Sequence, residues 1–256
     1  MTSIGNTKRR QLITGIIVVL TLFAALEIRD LLKLIGLKTP GFPIPFGGAI
    51  LDNLLAVVAV SVVAMALLQH KSELTYYFGL KRNKLKGPAL TLLATIPCWI
   101  IFGIRGKPVP HVDLTALLLL SVLFPFAEEI VFRGFGFLFT RKRLSWAFAP
   151  AAILQAMIFG WIHWMGAGAG GPVALQVFFI TFSGAVLFAV LDAMDHYSLW
   201  SGFVFHASLN ATWGFFEVSE TAATDWIGNT GRFTSAFLAI LLLWTFVYKR
   251  SDKKVE

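Results

Sequence analysis

Long apolar stretches recur along this chain of 256 residues and leave it few ways to fold. A helix needs about 20 apolar residues to cross the hydrocarbon core of a bilayer. Hydrophobic residues make up 57% of the chain, charged residues only 14%, and the mean hydropathy is +0.74. Such a chain has too little polar surface to face water, so lipid must cover it. We therefore predict an all-α, polytopic transmembrane helix bundle.

Hydropathy divides the chain into about eight predicted membrane spans. Turn signals rich in proline and glycine separate many of the apolar stretches. The spans are predicted at 11–28, 49–69, 88–104, 114–140, 147–165, 172–191, 198–217 and 233–249.

Positive charge in the loops predicts the orientation, because Lys and Arg accumulate on the cytoplasmic side of short loops. With the N-terminus inside, fifteen Lys and Arg residues fall on the cytoplasmic side and six on the other. Both termini are then cytoplasmic, as an even number of spans requires.

The basic residues before the apolar stretch 12–25 also resemble the start of a signal peptide, but we expect this stretch to be retained as the first helix. Anionic lipid headgroups explain the net charge of +8, and no nucleic-acid recognition motif appears.

Two adjacent carboxylates and a guanidinium interrupt the apolar run 114–139. Each charged side chain at bilayer depth costs roughly 2.5 to 3.5 kcal/mol, so Glu128, Glu129 and Arg133 need partners, water or a function. Glu129 and Arg133 are four residues apart and share a helix face, which predicts an ion pair. Glu128 is rotated by about 100° from Glu129, so this pair does not account for it. Pro125, one turn earlier, predicts a kink.

Two further pairs of residues with the same spacing, each containing a histidine, follow on later spans. Phe159 precedes His163, and His206 precedes Asn210, each by four residues. A single histidine among aromatic residues is usually a packing residue, and an imidazole with a carboxamide is often a polar contact between helices. Both His206 and Asn210 can also donate hydrogen bonds to a developing negative charge.

Together the three pairs resemble a known superfamily, the CPBP superfamily of CAAX prenyl proteases and bacteriocin-processing, Abi-like enzymes. Its members are intramembrane glutamic endopeptidases. The resemblance covers about residues 114–215 and rests on three motifs: Glu128-Glu129-x-x-x-Arg133, Phe159-x-x-x-His163 and His206-x-x-x-Asn210.

The resemblance implies a role for each motif residue. Glu128 resembles the catalytic glutamate that activates a water molecule together with His163, and His206 and Asn210 resemble the residues that stabilise the oxyanion. The remaining three resemble supporting residues: Glu129 and Arg133 as a pair that holds the site, and Phe159 as a packing residue. No metal or other cofactor is implied.

We also predict an organisation, a location and a substrate class. We expect N-terminal transmembrane helices and loops at 1–113, the catalytic core at 114–217, and the last span with a basic tail at 218–256, all within one integral membrane domain. The expected location is the plasma (inner) membrane, with the site accessible from the cytoplasm. The expected substrates are membrane-tethered or lipid-modified peptides and proteins, with prenylated CAAX tails as one possibility.

Other functions remain open from the residues alone. Two His and two Glu could ligate zinc, although His-Glu-x-x-His is absent. Ser208 points about 200° away from His206 on a helix, which disfavours serine catalysis. Buried charges also equip proton-coupled transporters, and a non-catalytic membrane interaction or immunity protein could use the same residues. The stretch 166–171 satisfies G-x-G-x-x-G but follows no strand, so we interpret it as a turn. Cys98 is predicted to be a packing residue.

Overall fold

The computed structural model describes residues 2–68, 70–81, 84–217 and 225–249, except the side chains of 2–8 and 10. Nearly all of this is helical, which confirms the all-α prediction. The α-helices are α1 (Thr2–Ala25), α2 (Ile28–Leu34), α3 (Gly47–Leu67), α4 (Leu74–Tyr77), α5 (Lys86–Ala94), α6 (Ile96–Arg105), α7 (Leu114–Leu118), α8 (Phe124–Glu128), α9 (Thr140–Leu144), α10 (Phe148–Gly166), α11 (Gly171–Met194), α12 (Trp200–Phe215) and α13 (Trp226–Leu243). Three π-helical segments, Leu119–Leu123, Glu129–Phe139 and Trp244–Tyr248, and a 3₁₀ turn, Lys71–Glu73, complete the helical structure.

Six helices in the described part of the chain are long and apolar enough to cross a membrane, so this is a multi-pass membrane protein. They coincide with six of the eight predicted spans: Gly47–Leu67, Lys86–Arg105, Leu114–Leu144, Phe148–Gly166, Gly171–Met194 and Trp226–Tyr248. The predicted span 11–28 is a helix pair bent by 86°, which makes a seventh if counted as one span. The predicted span 198–217 corresponds to α12, whose 16 residues make it shorter than these six, so the number of spans stays a prediction. The orientation stays a prediction, and four of the cations it counts, Arg82, Arg250, Lys253 and Lys254, lie outside the described residues.

The chain forms two compact units, Met1–Leu80 with Ala127–Ile158, and Lys81–Phe126 with Phe159–Glu256. In the first unit, α1 and α3 pack against the π-helical segment Glu129–Phe139, all of which is buried. Gly136 lets this segment approach its neighbours closely. A Cβ atom there would lie 2.9 Å from the Gln155 Cβ and 3.2 Å from a Leu22 methyl group.

In the second unit, α12 packs on α5 and α11, and α13 packs on α5 and α6. The break between α5 and α6 falls at Thr95, two residues before Pro97, which occupies the first turn of α6 and has no N–H to donate. The Thr95 hydroxyl bonds the Leu92 carbonyl at 2.7 Å. It also lies 2.8 Å from the Ser208 hydroxyl, so the break is tied to α12.

A two-residue antiparallel bridge follows the end of α12. Strand β1 (Lys107–Pro108) pairs with β2 (Phe216–Glu217). The turn 166–171 joins α10 to α11, as predicted, with Gly168 at φ +92° and Gly171 at φ +75°. These backbone angles are accessible mainly to glycine.

Candidate active site

The buried ion pair of the first unit is the most enclosed polar feature among the motif residues. Arg133 Nε lies 3.3 Å from Glu129 Oε2, and both side chains are completely inaccessible. The predicted pairing is therefore confirmed. Charges this deep are tolerated only when they are compensated, because removal from water costs each of them several kcal/mol.

Glu128 differs from its neighbour in exposure. It is the last residue of α8 and is half-buried, whereas Glu129 begins the π-helical segment and is fully buried. The two residues are adjacent in sequence, yet only Glu128 is partly exposed.

Pro125 is accommodated by a change of helix type. A proline inside a helix lacks a donor and its ring clashes with the carbonyl four residues earlier, here that of Ser121. The helix widens just before it, over Leu119–Leu123, where the Phe124 N–H bonds the Leu119 carbonyl five residues back. A π-helical turn thus precedes Pro125 within the helix Leu114–Leu144, and the kink stays a prediction.

His163 is held by the residue one turn before it. Its Nδ1 lies 2.9 Å from the Phe159 carbonyl oxygen, and the two rings are in contact with centroids 4.2 Å apart. A carbonyl can only accept, so Nδ1 carries the proton. In the neutral imidazole, Nε2 then holds the lone pair and can accept a proton. Phe159 thus orients His163 through its backbone as well as by packing.

His206 and Asn210 form a looser pair on α12. Asn210 Nδ2 lies 3.5 Å from His206 Nε2 and 3.4 Å from the Leu120 carbonyl oxygen. Both distances are at the long end of the hydrogen-bond range. His206 is buried and stacks on Phe188, with ring centroids 4.8 Å apart and planes 24° apart, whereas Asn210 is half-buried. The ring is therefore fixed by packing, while the carboxamide makes only weak contacts.

Ser208 lies between these residues in sequence but has other partners. Its hydroxyl oxygen accepts from Trp99 Nε1 at 3.0 Å and lies 2.8 Å from Thr95 Oγ1. These contacts agree with the predicted direction away from His206 and give Ser208 a role in packing α12 against α6.

Two buried aspartates were not predicted from the sequence. Asp192 and Asp195 stand at the end of α11 and are 0% and 5% exposed. Both accept hydrogen bonds from the start of α12. Asp192 accepts from the Gly202 N–H at 3.0 Å, and Asp195 accepts from the Ser201 hydroxyl at 2.8 Å. Their sequence signal was two carboxylates three residues apart at the end of an apolar run.

The two units share the motif residues. Glu128, Glu129 and Arg133 belong to the first unit, and Phe159, His163, His206 and Asn210 to the second. Within the described ranges, no three His, Cys, Asp or Glu side chains are grouped so that they could hold a metal ion. Cys98 is buried, in keeping with its predicted packing role.

Residues 110–212 match a family model described as Rce1-like, type II CAAX prenyl endopeptidase. This segment contains every motif residue and confirms the resemblance drawn from the three pairs. Searches of curated proteins and of solved structures found no match.

Proposed function

We propose that this multi-pass membrane protein, whose segment 110–212 resembles the Rce1-like type II CAAX prenyl endopeptidases, hydrolyses peptide bonds of membrane-associated substrates with Glu128 and His163 as its catalytic residues. The observation that carries the proposal is the contrast between the two adjacent glutamates. Glu129 forms a fully buried ion pair with Arg133, whereas the adjacent Glu128 is only half-buried.

In the proposed reaction, Glu128 and His163 take a proton from a water molecule as its oxygen attacks the scissile carbonyl carbon. The lone pair of His163 Nε2 is available because Nδ1 donates to the Phe159 carbonyl. The same groups then return a proton to the leaving amine nitrogen as the C–N bond breaks. Water is consumed, and no covalent enzyme intermediate forms.

Asn210 and His206 are proposed to stabilise the oxyanion of the tetrahedral intermediate. Asn210 Nδ2 lies 3.4 Å from the Leu120 carbonyl oxygen and 3.5 Å from His206 Nε2, so little hydrogen-bond energy opposes the turning of its N–H groups to a closer anion. Hydrogen bonds of this kind often tighten only when the substrate is bound. His206 contributes a donor from Nε2 when that nitrogen is protonated.

Glu129 and Arg133 are proposed to support the site without touching the substrate, because neither side chain is accessible. Their pairing holds the segment that begins directly after Glu128 in one conformation. Phe159 is proposed to do the same for His163.

The decisive experiment compares Glu128→Gln with Glu129→Gln. The assay presents a farnesylated peptide with a CAAX C-terminus to purified protein in liposomes, and mass spectrometry detects the released tripeptide. Glu128→Gln should lower kcat by about 10²- to 10⁴-fold, the contribution of a general base, with the unfolding temperature unchanged. Glu129→Gln should instead lower the unfolding temperature, because it leaves the Arg133 charge buried without its carboxylate.

Full activity of Glu128→Gln would overturn the assignment of Glu128. Absence of cleavage by the wild-type protein, with prenylated and unprenylated peptides alike, would overturn the proposed activity. Comparing the peptides that accumulate in cells with wild-type protein and with Glu128→Ala would then identify the natural substrate.

Catalysis is proposed to proceed without a metal ion. Activity should survive exhaustive treatment with a chelator, and elemental analysis should find less than stoichiometric zinc. Loss of activity on chelation and recovery with zinc would favour the metalloprotease alternative.

The proposed location is the plasma membrane, with the site open to the cytoplasm and both termini inside. Reporter fusions after the described helices test this orientation. Opposite locations for the two termini would contradict it and would favour an odd number of spans.

A further inference from the structure

Two carboxylates anchor the start of α12, the helix that carries His206 and Asn210. Asp192 Oδ1 accepts the Gly202 N–H at 3.0 Å, and Asp195 Oδ2 accepts the Ser201 hydroxyl at 2.8 Å. The first N–H groups of a helix have no partner within the helix, and its N-terminal end favours negative charge. Asp192 therefore satisfies one of the first N–H groups of α12, and Asp195 holds the Ser201 side chain beside it, in a part of the protein that is closed to solvent.

A second contact joins the same two helices one turn away from the Asp192 contact, one turn earlier on α11 and one turn later on α12. Phe188 precedes Asp192 by four residues on α11, and His206 follows Gly202 by four on α12. Phe188 stacks on the His206 ring with centroids 4.8 Å apart. A shift of α12 by one residue, about 1.5 Å along its axis and 100° about it, would break both contacts together.

The carboxylates are also enclosed by backbone. A Cβ atom on Gly202 would lie 2.6 Å from Asp192 Oδ1, and one on Gly87 would lie 2.5 Å from Asp195 Oδ1 and from Ser201 Oγ. No side chain fits at either glycine without moving the aspartate. The close backbone therefore restricts the position of each carboxylate, and the contacts to the carboxylates fix the position of the start of α12.

We propose that Asp192 is a positioning residue, which sets the register of α12 against α11 and through it holds the His206 imidazole on Phe188. Its effect on catalysis rests on the proposed function, whereas its effect on the His206 ring does not. Asp195, through Ser201, secures the same turn.

The kinetic test uses the full-length protein with Asp192→Ala and Asp192→Asn. Asp192→Ala should lower kcat by roughly 10- to 100-fold, the loss expected when a reacting group is displaced by about an ångström. KM should stay unchanged, because Asp192 is placed to act on the imidazole and not on the substrate. Asp192→Asn should restore kcat, since the amide oxygen can accept the same Gly202 N–H.

Asp225→Ala is the matched control for these variants. Asp225 also accepts a hydrogen bond from the first turn of a helix, the Gly228 N–H of α13 at 2.6 Å, but that helix carries no motif residue. This variant should leave kcat unchanged. An equal loss of kcat in Asp192→Ala and Asp225→Ala would mean a general loss of structure and would overturn the proposal.

The second readout is the NMR signal of the His206 ring in protein labelled at histidine and assigned with His206→Gln. The stacked Phe188 ring shifts this signal, so Asp192→Ala should move it and Asp192→Asn should leave it in place. If Asp192→Ala does not fold, Gly202→Ala displaces the same contact and should move the same signal. An unmoved His206 signal in either variant would overturn the positioning role. A moved signal in protein that cleaves no peptide would uphold that role and refute the proposed function.

Discussion

The two units hold their polar motif residues in different ways. The first unit encloses a charged pair, Glu129 and Arg133, at 3.3 Å with no exposure. The second holds His206 and Asn210 at 3.5 Å, with the carboxamide half-buried. The difference agrees with the proposed roles, a rigid support for the charged pair and a donor that can adjust for the Asn210 carboxamide. A buried charge tolerates little movement, whereas a donor that must meet a transient anion needs some.

Breaking the buried pair should have the largest effect on stability. Arg133→Met leaves the Glu129 carboxylate buried without its guanidinium and should lower the free energy of unfolding by about 3–5 kcal/mol. Thermal unfolding of the protein in detergent measures the change. The matched control is Arg105→Met, which removes the exposed pair with Asp225 at 2.9 Å and should cost less than about 1 kcal/mol. Equal losses in the free energy of unfolding for Arg133→Met and Arg105→Met would show that the buried pair contributes no more to stability than the exposed pair.

Removing the adjustable donor should have the next largest effect, on activity alone. Asn210→Ala should lower kcat by about 10²- to 10³-fold, the usual loss for one oxyanion donor, because its amide contacts in the free protein are weak and its proposed role arises in the transition state. The peptide-release assay measures this change. Asn53→Ala is the control, since the Asn53 amide bonds the Ala49 carbonyl at 2.9 Å within α3, and its kcat should match that of the wild-type protein. An Asn210→Ala enzyme with normal kcat would remove Asn210 from the site.

A smaller loss of stability should follow from adding a side chain at Gly136, where the π-helical segment of the first unit lies close to its neighbours. Gly136→Ala places a Cβ 2.9 Å from the Gln155 Cβ and should destabilise the protein by about 1–3 kcal/mol through overpacking. Gly166→Ala, where no heavy atom lies within 4 Å, is the control. The unfolding temperature in detergent should fall for Gly136→Ala and stay unchanged for Gly166→Ala. An unchanged value for Gly136→Ala would mean that the packing around the segment Glu129–Phe139 is less rigid than inferred.

The smallest effect is expected from Ser208→Ala. The substitution removes contacts to Thr95 and Trp99, so it should cost about 1 kcal/mol of stability and leave kcat unchanged. Thermal unfolding and the peptide-release assay measure the two quantities. Complete loss of cleavage by a folded Ser208→Ala protein would return serine catalysis to consideration.

Much of the fold was predictable because membrane spans are local features of composition. Six predicted spans match long apolar helices. The predicted span 198–217 corresponds to the 16-residue α12, which is shorter than these six and packs on α5 and α11. The π-helical segment Glu129–Phe139 also escaped prediction, since helix periodicity in sequence assumes an α-helix.

The three motif pairs were readable from the sequence alone because residues four apart on a helix are neighbours whatever surrounds the helix. This spacing determined the Glu129–Arg133 ion pair, the Phe159–His163 contact and the His206–Asn210 pair. Only tertiary packing decided which of two adjacent glutamates is enclosed, and only it brought Asp192 to Gly202. Burial and contacts between helices depend on elements that are distant in the chain, so the local spacing of residues does not predict them.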